Sequence, residues 1–477
     1  MSCPSESLLV FSDVHLGSDI VDGHPHRVMR SGAIDRDLIK LIAHYRSQPR
    51  VADRWRIVIA GDFIDFIGMS VSATGTAAAL TELTEEERQH GLGNAADHAR
   101  LKLQRVLDRH GDVFDALAAF LAEGNALTLV HGNHDIEFHW DAVKEDLRND
   151  LLARASRGER PLEAEEFLGR IEFSPWFFLR DGVAYIEHGH QYDPFCSFAY
   201  VMAPLSPLDP RRIARCVSDV LLRFVVRPTK GLSEHGHEKM GALDYLLLGV
   251  RLGVGGGVRL GVRFARAVAE LFRLRRGHVS EAATALRKEH ERRVALLAKA
   301  TRIGKARLKA LLRLQTPPIS HSIHGILASV LLDRIALGMA AILALFALVI
   351  FGAFQGHTLL AGLGVLITWS LLHRHLTKLR KVDPSEQLAL RADALAQLFS
   401  VPFVVMGHTH VPTSIPAGDT TYINLGSWAE DEQSHSEYTT RTHVVIHPSA
   451  GKPKALFQRW DSDQEGPLPF TPDTNLG

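Results

Sequence analysis

Five short polar clusters punctuate the chain, and each carries residue types that bind metal ions. "SDVH" sets Asp13 and His15 two apart, and "GDFID" follows with Asp62. "HGNHD" holds Asn133, His134 and Asp135. "EHGHQYD" holds His188 and His190, and "GHTH" repeats the two-apart spacing with His408 and His410. The donors are oxygen and nitrogen without thiolate, a set that suits Mn, Fe, Zn or Mg. No single cluster is diagnostic. Among 26 histidines an H-x-H pair arises by chance, and "EHGHEK" at 234–239 reads as such a pair on a solvated loop.

What the clusters share is their place. Each lies where an apolar strand pattern ends: "LLVFSD", "RIVIAGD", "ALTLVHGN", "VAYIEHGH" and "VPFVVMGHTH". In an open α/β sheet, ligands bind beyond the carboxyl ends of strands, so five loops are expected to converge on one edge. A loop leaving a strand can aim alternate side chains at one point, with Asp13 and His15 inward and Val14 back toward the sheet. Gly61, Gly132, Gly189 and Gly407 allow tight turns beside these residues. Between the strands, "DRDLIKLIAHYR" and "DVFDALAAFLAEG" have helical periodicity, the second stopped by Gly124. "TYINLGSW" reads as a further strand. "DPSEQLALRADALAQLF" reads as a helix capped by Asp383 with Pro384 in its first turn. Strands alternating with helices predict an α/β fold.

The five blocks in this order, DxH, GDxxD, GNHD, GH and GHTH, resemble the calcineurin-like metallophosphoesterases over roughly residues 8–200 and 386–447. The resemblance implies an αββα sandwich holding two divalent ions, manganese first, with iron or zinc as alternatives. One ion would be held by Asp13, His15, Asp62 and His410. The other would be held by Asp62, Asn133, His188 and His408, with Asp62 bridging. His134 would protonate or stabilise the leaving oxygen, oriented by Asp135, and His190 would contact substrate or support the ligands. Two ions ~3.5–4 Å apart clamp the attacking and leaving oxygens of a displacement at phosphorus. The expected reaction is therefore hydrolysis of a phosphate ester or pyrophosphate bond by a metal-bridging hydroxide.

The catalytic blocks occupy residues 1–200 and 383–460, and residues 201–382 form an insertion of different character. From Ser206 to Gln315 it carries 24 Lys and Arg against 9 Asp and Glu, although the whole chain balances at zero. "GVGGG" at 253–257 reads as a break between helices, and residues 281–314 as one long basic helix. Ile335–Phe354 is a run of 20 uncharged residues, long enough at ~1.5 Å per residue to reach roughly 30 Å, a bilayer core. A second uncharged run, Thr358–Leu372, has 15 residues, short for a full span. The two form an expected membrane hairpin, 335–372, with "QGH" at 355–357 as its turn. Arg334 precedes it and Arg374, Lys378, Arg380 and Lys381 follow, which places both ends and the catalytic domain in the cytoplasm. Residues 461–477, rich in Pro and Asp, read as a disordered tail.

The insertion falls between the fourth and fifth blocks, where a lid would lie. UDP-2,3-diacylglucosamine hydrolases, within the resembled family, carry a helical lid there that receives acyl chains. "SDVHLG", "GDFIDFIG" and "GSW" are similar to that subgroup, whereas His134 stands where its members carry Arg. The expected substrate is a phosphorylated or nucleotide-linked lipid. The alternatives are a membrane-anchored phosphoesterase acting on soluble phosphodiesters or phosphoproteins, and a non-catalytic membrane scaffold. The Arg-rich stretch 251–276 interleaves only Phe264 and Phe272, so no nucleic-acid partner is expected. Three cysteines without metal-knuckle spacing fit a reducing compartment, and "MSCPSESLLVFSDVH" lacks the features of a secretory leader.

Overall fold

The computed structural model describes residues 5–22, 32–72, 81–158, 161–229, 232, 247–248, 251–329, 332–351, 356–380, 383–429, 441–449 and 453–472. The fold is mixed α/β, built on two mixed sheets. The first contains β1 (Glu6–Phe11), β2 (Arg54–Ala60), β3 (Ala126–Val130) and β4 (Ile171–Ser174), all parallel. The second contains β5 (Phe177–Arg180), β6 (Ala184–Glu187), β7 (Phe403–Met406), β8 (Thr413–Ala417) and β9 (Thr420–Asn424), in the order β5-β6-β7-β9-β8. β6, β7 and β9 run parallel. The chain then returns to the first sheet as β10 (Thr442–His447), β11 (Lys454–Asp461) and β12 (Gly466–Pro469), giving the order β12-β11-β10-β1-β2-β3-β4.

Strand alternation assigns the two faces of the first sheet. Leu9, Phe11, Ile57, Ile59, Leu127 and Leu129 point to a helical layer. That layer is α1 (Gly32–Ser47), α3 (Ala96–Arg109), α4 (Gly111–Ala122) and α5 (Asp141–Ala155), with the short α2 (Glu85–His90) and α6 (Ala164–Gly169) at its margins. Leu8, Val10, Val58, Ala60 and Val130 point the other way. They meet Ile186, Val405, Ile423 and Leu425 of the second sheet in a dry core between the sheets. Both faces are covered, so these strands read as continuous apolar runs rather than alternating ones.

The insertion is helical. It contains α7 (Val217–Leu221), continued as a π-turn to Val226, then α8 (Gly253–His278), α9 (Glu281–Ala300), α10 (Lys305–Leu314) and α11 (Ile323–Ser329). α12 (Leu332–Phe351) and α13 (Gly356–Arg380) follow, and α14 (Pro384–Phe399) returns to the core. Leu388, Ala392, Leu395 and Phe399 of α14 cover the outer face of the second sheet, joined by Val294, Leu308 and Leu311 of the insertion. Asp383 accepts from the Ser385 N–H at 2.9 Å, the cap expected for α14.

Four expectations about these segments are corrected. Residues 281–314 form two helices, broken where Arg302 turns left-handed (φ 58°) before Gly304. "GVGGG" forms the first part of α8, not a break, and only Gly253 (φ 71°) departs from helical backbone. The second apolar arm extends past Leu372, and its apolar helical stretch runs from His357 to Leu376, 20 residues with no part buried. The first arm carries a shorter apolar stretch, Ala336–Ile350. The C-terminal segment is also not a free tail: β12 pairs with β11, with Asp461 opposite Gly466. Cys3, "EHGHEK", Gln355 of the expected turn, Lys381 and residues 473–477 lie outside the described residues.

Candidate metal centre

The ends of β1, β2, β3, β6 and β7 deliver the five clusters to one place, because the parallel strands of both sheets end on the same side. The backbone there is unusual. Asp13, His15, Asp62, His408 and His410 all adopt left-handed conformations, with φ from 51° to 73°. They are five of the nine non-glycine residues in that region among the described residues. Such conformations cost of order 1–3 kcal/mol each and persist where the surroundings hold them for function. This replaces the simple strand alternation expected for D-x-H. Asp13 and His15 converge because each turns left-handed, while Val14 is buried in the helix-side core.

Two glycines make room. Gly61 has φ +86°, and a Cβ there would sit 2.5 Å from the His188 ring. A Cβ on Gly132 would strike the Asp62 carboxylate. The His188 Nδ1 lies 2.9 Å from the Ala60 carbonyl, which fixes it as the protonated nitrogen. Nε2 is thereby turned toward Asp62 Oδ2 at 3.2 Å and Asn133 Oδ1 at 3.1 Å. Across the cluster, His410 Nε2 lies 3.1 Å from Asp13 Oδ1 and 3.3 Å from His15 Nε2. Asp62 Oδ2 is 3.7 Å from His15 Nε2. Asp62 thus stands between the two sets of imidazoles, as a bridging ligand must.

The donor set fits divalent cations. Ligand atoms lie within 4.8 Å of one another in Asp13–His15–His410, in His15–Asp62–His134 and in Asp13–Asp62–His188. Asp13 and Asp62 are 0% and 2% exposed. Burial opposes their ionisation, yet the surrounding imidazoles outweigh it: His410 and His188 hold Asp13 below the usual carboxylate range, and His188 and His134 hold Asp62 well below it. Conversely, burial opposes charge on His188, but Asp62 lifts it to about 9. Such carboxylate–imidazole pairs can exchange their shared protons for cations on binding.

The structure changes two roles. The His134 Nδ1 is 2.6 Å from Asp65 Oδ1, so Asp65, the last residue of "GDFID", orients this ring rather than Asp135. Asp135 instead accepts from the Phe63 N–H at 2.8 Å and the Gly132 N–H at 2.6 Å, tying the second and third loops together. Burial, added to by the Asp62 charge, pushes the Asp135 carboxyl up to about 7. His190 is 4% exposed and packs edge-on against Phe198, with its ring 5.4 Å from that of His188. That buries it beside His188, the supporting position of the two expected for it.

Asp193 was missed by sequence reasoning. Its Oδ2 lies 3.0 Å from His408 Nε2, which leaves Nδ1 as the ring atom able to meet an ion. The signal was present, since Asp193 closes the "EHGHQYD" block. The insertion holds this loop: the Thr316 and Ile319 N–H groups donate to the Gln191 and Pro194 carbonyls, and the Val217 N–H donates to that of Phe195. The open side of the cluster is marked by His134 and His410, with side chains 17% and 15% exposed. Comparison with protein-family models gives no match, and no curated protein matches the chain.

Proposed function

We propose that the chain is a dinuclear-metal phosphoesterase of the calcineurin-like type, held at the cytoplasmic face of a membrane and hydrolysing a phosphate ester or pyrophosphate bond of a lipid. The observation that carries the reading is the shared Asp62 between two facing sets of donors, each drawn from the strand ends of both sheets. Asp13, His15, Asp62 and His410 would hold one ion. Asp62, Asn133, His188 and His408 would hold the other. When bound, two such cations supply charge stabilisation at phosphorus and a nucleophile at neutral pH. Manganese is the first candidate for both positions, with iron or zinc as alternatives.

The remaining chemistry belongs to the protein. His134 sits at the open side with Nδ1 on Asp65, so its other ring nitrogen can give a proton to the leaving oxygen. Asp65 is 1% exposed, and burial opposes its charge, but His134 and His15 hold it well below the usual range. It therefore stays ionised and holds the His134 ring by its Nδ1. Asp193 orients the His408 ring through its Nε2. The lipid part of the reading is supported by the apolar arms. Met339, Ile342, Leu343 and Phe346 of α12 and Leu359, Leu360 and Leu363 of α13 are all more than half exposed, which is unfavourable in water for so large a patch.

The test is hydrolysis by detergent-purified protein with Mn²⁺, comparing UDP-2,3-diacylglucosamine with a soluble phosphodiester. Asp62→Asn serves as the control. Preference for the lipid, lost in the control, supports the reading. Turnover of the soluble ester alone would reduce the hairpin to an anchor. Turnover of neither, with cellular function intact in Asp62→Asn, would favour the scaffold.

A further inference from the structure

α8 lies beside the root of the hairpin and has two unlike faces. Leu260, Ala267, Leu271 and Leu274 are buried in a cluster with Val217, Val220 and Phe224 of the preceding helix and Ile326 of α11. α11 leads directly toward α12, so the helix is fixed to the base of the apolar arms. The opposite face carries Val254, Val258 and Val262, which are 88%, 63% and 47% exposed. Their four-residue spacing makes one stripe, which exposed Ala265 and Ala269 continue. Arg259, Arg266 and Arg273 recur at seven-residue intervals along one edge of this stripe, all exposed. Arg273 is paired with Glu270. Arg266 lies 3.5 Å from the Gln89 Oε1 of α2, and among the described residues no carboxylate is ion-paired with Arg259 or Arg266.

A valine stripe bordered by arginines, with the other face packed on protein, is the pattern of a helix lying in a bilayer interface. Valines enter the acyl boundary while the long arginine stems reach the phosphate level. The positive edge selects the lipid charge. We infer that the exposed face of α8 docks on an anionic lipid surface, a second membrane contact separate from the hairpin, which sets the metal centre's approach to the bilayer. The inference rests on the membrane reading of α12 and α13.

The experiment uses full-length protein reconstituted in vesicles of phosphatidylcholine with or without phosphatidylglycerol, in a Cys3→Ser background. Cys196 and Cys216 are buried, so single cysteines introduced as Val258→Cys or, in a second protein, Leu343→Cys take an environment-sensitive fluorophore. Quenching by headgroup-level and chain-level nitroxide lipids is then read. The expected result is headgroup-level quenching at position 258 that is stronger in anionic vesicles, with chain-level quenching at 343. Arg259→Glu with Arg266→Glu should weaken quenching at 258, each arginine near the surface contributing about fivefold in affinity, and leave 343 unchanged. Quenching at 343 without quenching at 258 would overturn the α8 contact while the hairpin reading stands. Absence of quenching at both would remove the membrane reading and the inference with it. Equal quenching at 258 in neutral vesicles, unmoved by the charge reversals, would overturn the lipid preference.

Discussion

Asp65 and Asp135 each follow a metal-ligand candidate by a few residues, and each is buried beside Asp62, yet they make different demands on the site. Asp65 faces an ionisable ring, whereas Asp135 faces two backbone N–H groups. Asp65→Asn should therefore lower kcat by about 10²-fold or more with little change in KM, since proton transfer by a positioned group contributes about 10²–10⁴-fold. The loss should grow as the leaving group becomes more basic, read from a series of aryl phosphodiesters. Asp135→Ala should act on stability, because two buried donors lose their acceptor at about 1–3 kcal/mol each. Urea denaturation would show that cost, and a normal melting curve would contradict the bracing role. The convergence of the candidate donors was legible in the sequence, since each sits at the end of an apolar run. The partners Asp65 and Asp193 were quoted within those blocks but could not be assigned. Their roles depend on which ring nitrogen they face, which only the folded loops determine.

The elements that hold the site in place include contacts between distant parts of the chain. Glu87 of α2 is fully buried and paired with Arg212, at the start of the insertion, at 2.8 Å. Burial opposes its charge, but His98 and Arg212 outweigh this and hold the carboxyl well below its ordinary value of 4.5. The sign follows: the fold binds fewer protons here than the unfolded chain, so the stabilisation is full above about pH 5 and is lost as pH falls below 4.5. Glu87→Ala should cost about 1–3 kcal/mol at pH 7, because the buried Arg212 guanidinium loses one carboxylate and keeps only Asp209 and the Glu82 carbonyl. The gap between variant and wild type should narrow in denaturation measured near pH 3; a pH-independent gap would contradict the pairing. The central strands were readable because both faces are buried. β4, β5, β8 and β10 to β12 were not assigned: four of them are four- or five-residue strands, and the three C-terminal strands lie beyond the last recognisable block. The break at Arg302 was marked only by Thr301, Ile303 and Gly304, which the basic helical pattern on both sides outweighed.

At the scale of the whole molecule, the site and the apolar arms are separate in structure. Donors come from both sheets, while α12 and α13 pack on each other and leave the span His357–Leu376 uncovered. A chain in which residues 332–380 are replaced by a short flexible linker should retain turnover of a soluble phosphodiester and no longer sediment with membranes. Loss of soluble-ester turnover in a folded variant would show that the arms complete the site. The central claim is the pair of cations around Asp62. The most direct measurement is metal content per chain, by mass spectrometry after equilibration with Mn²⁺ and removal of free ion, paired with phosphodiester hydrolysis before and after chelation. The account predicts two ions per wild-type chain, fewer in Asp62→Asn, and activity that is lost on chelation and restored by Mn²⁺. A folded wild-type chain that binds no divalent ion, or whose hydrolysis is indifferent to chelation and to Asp62→Asn, would contradict it.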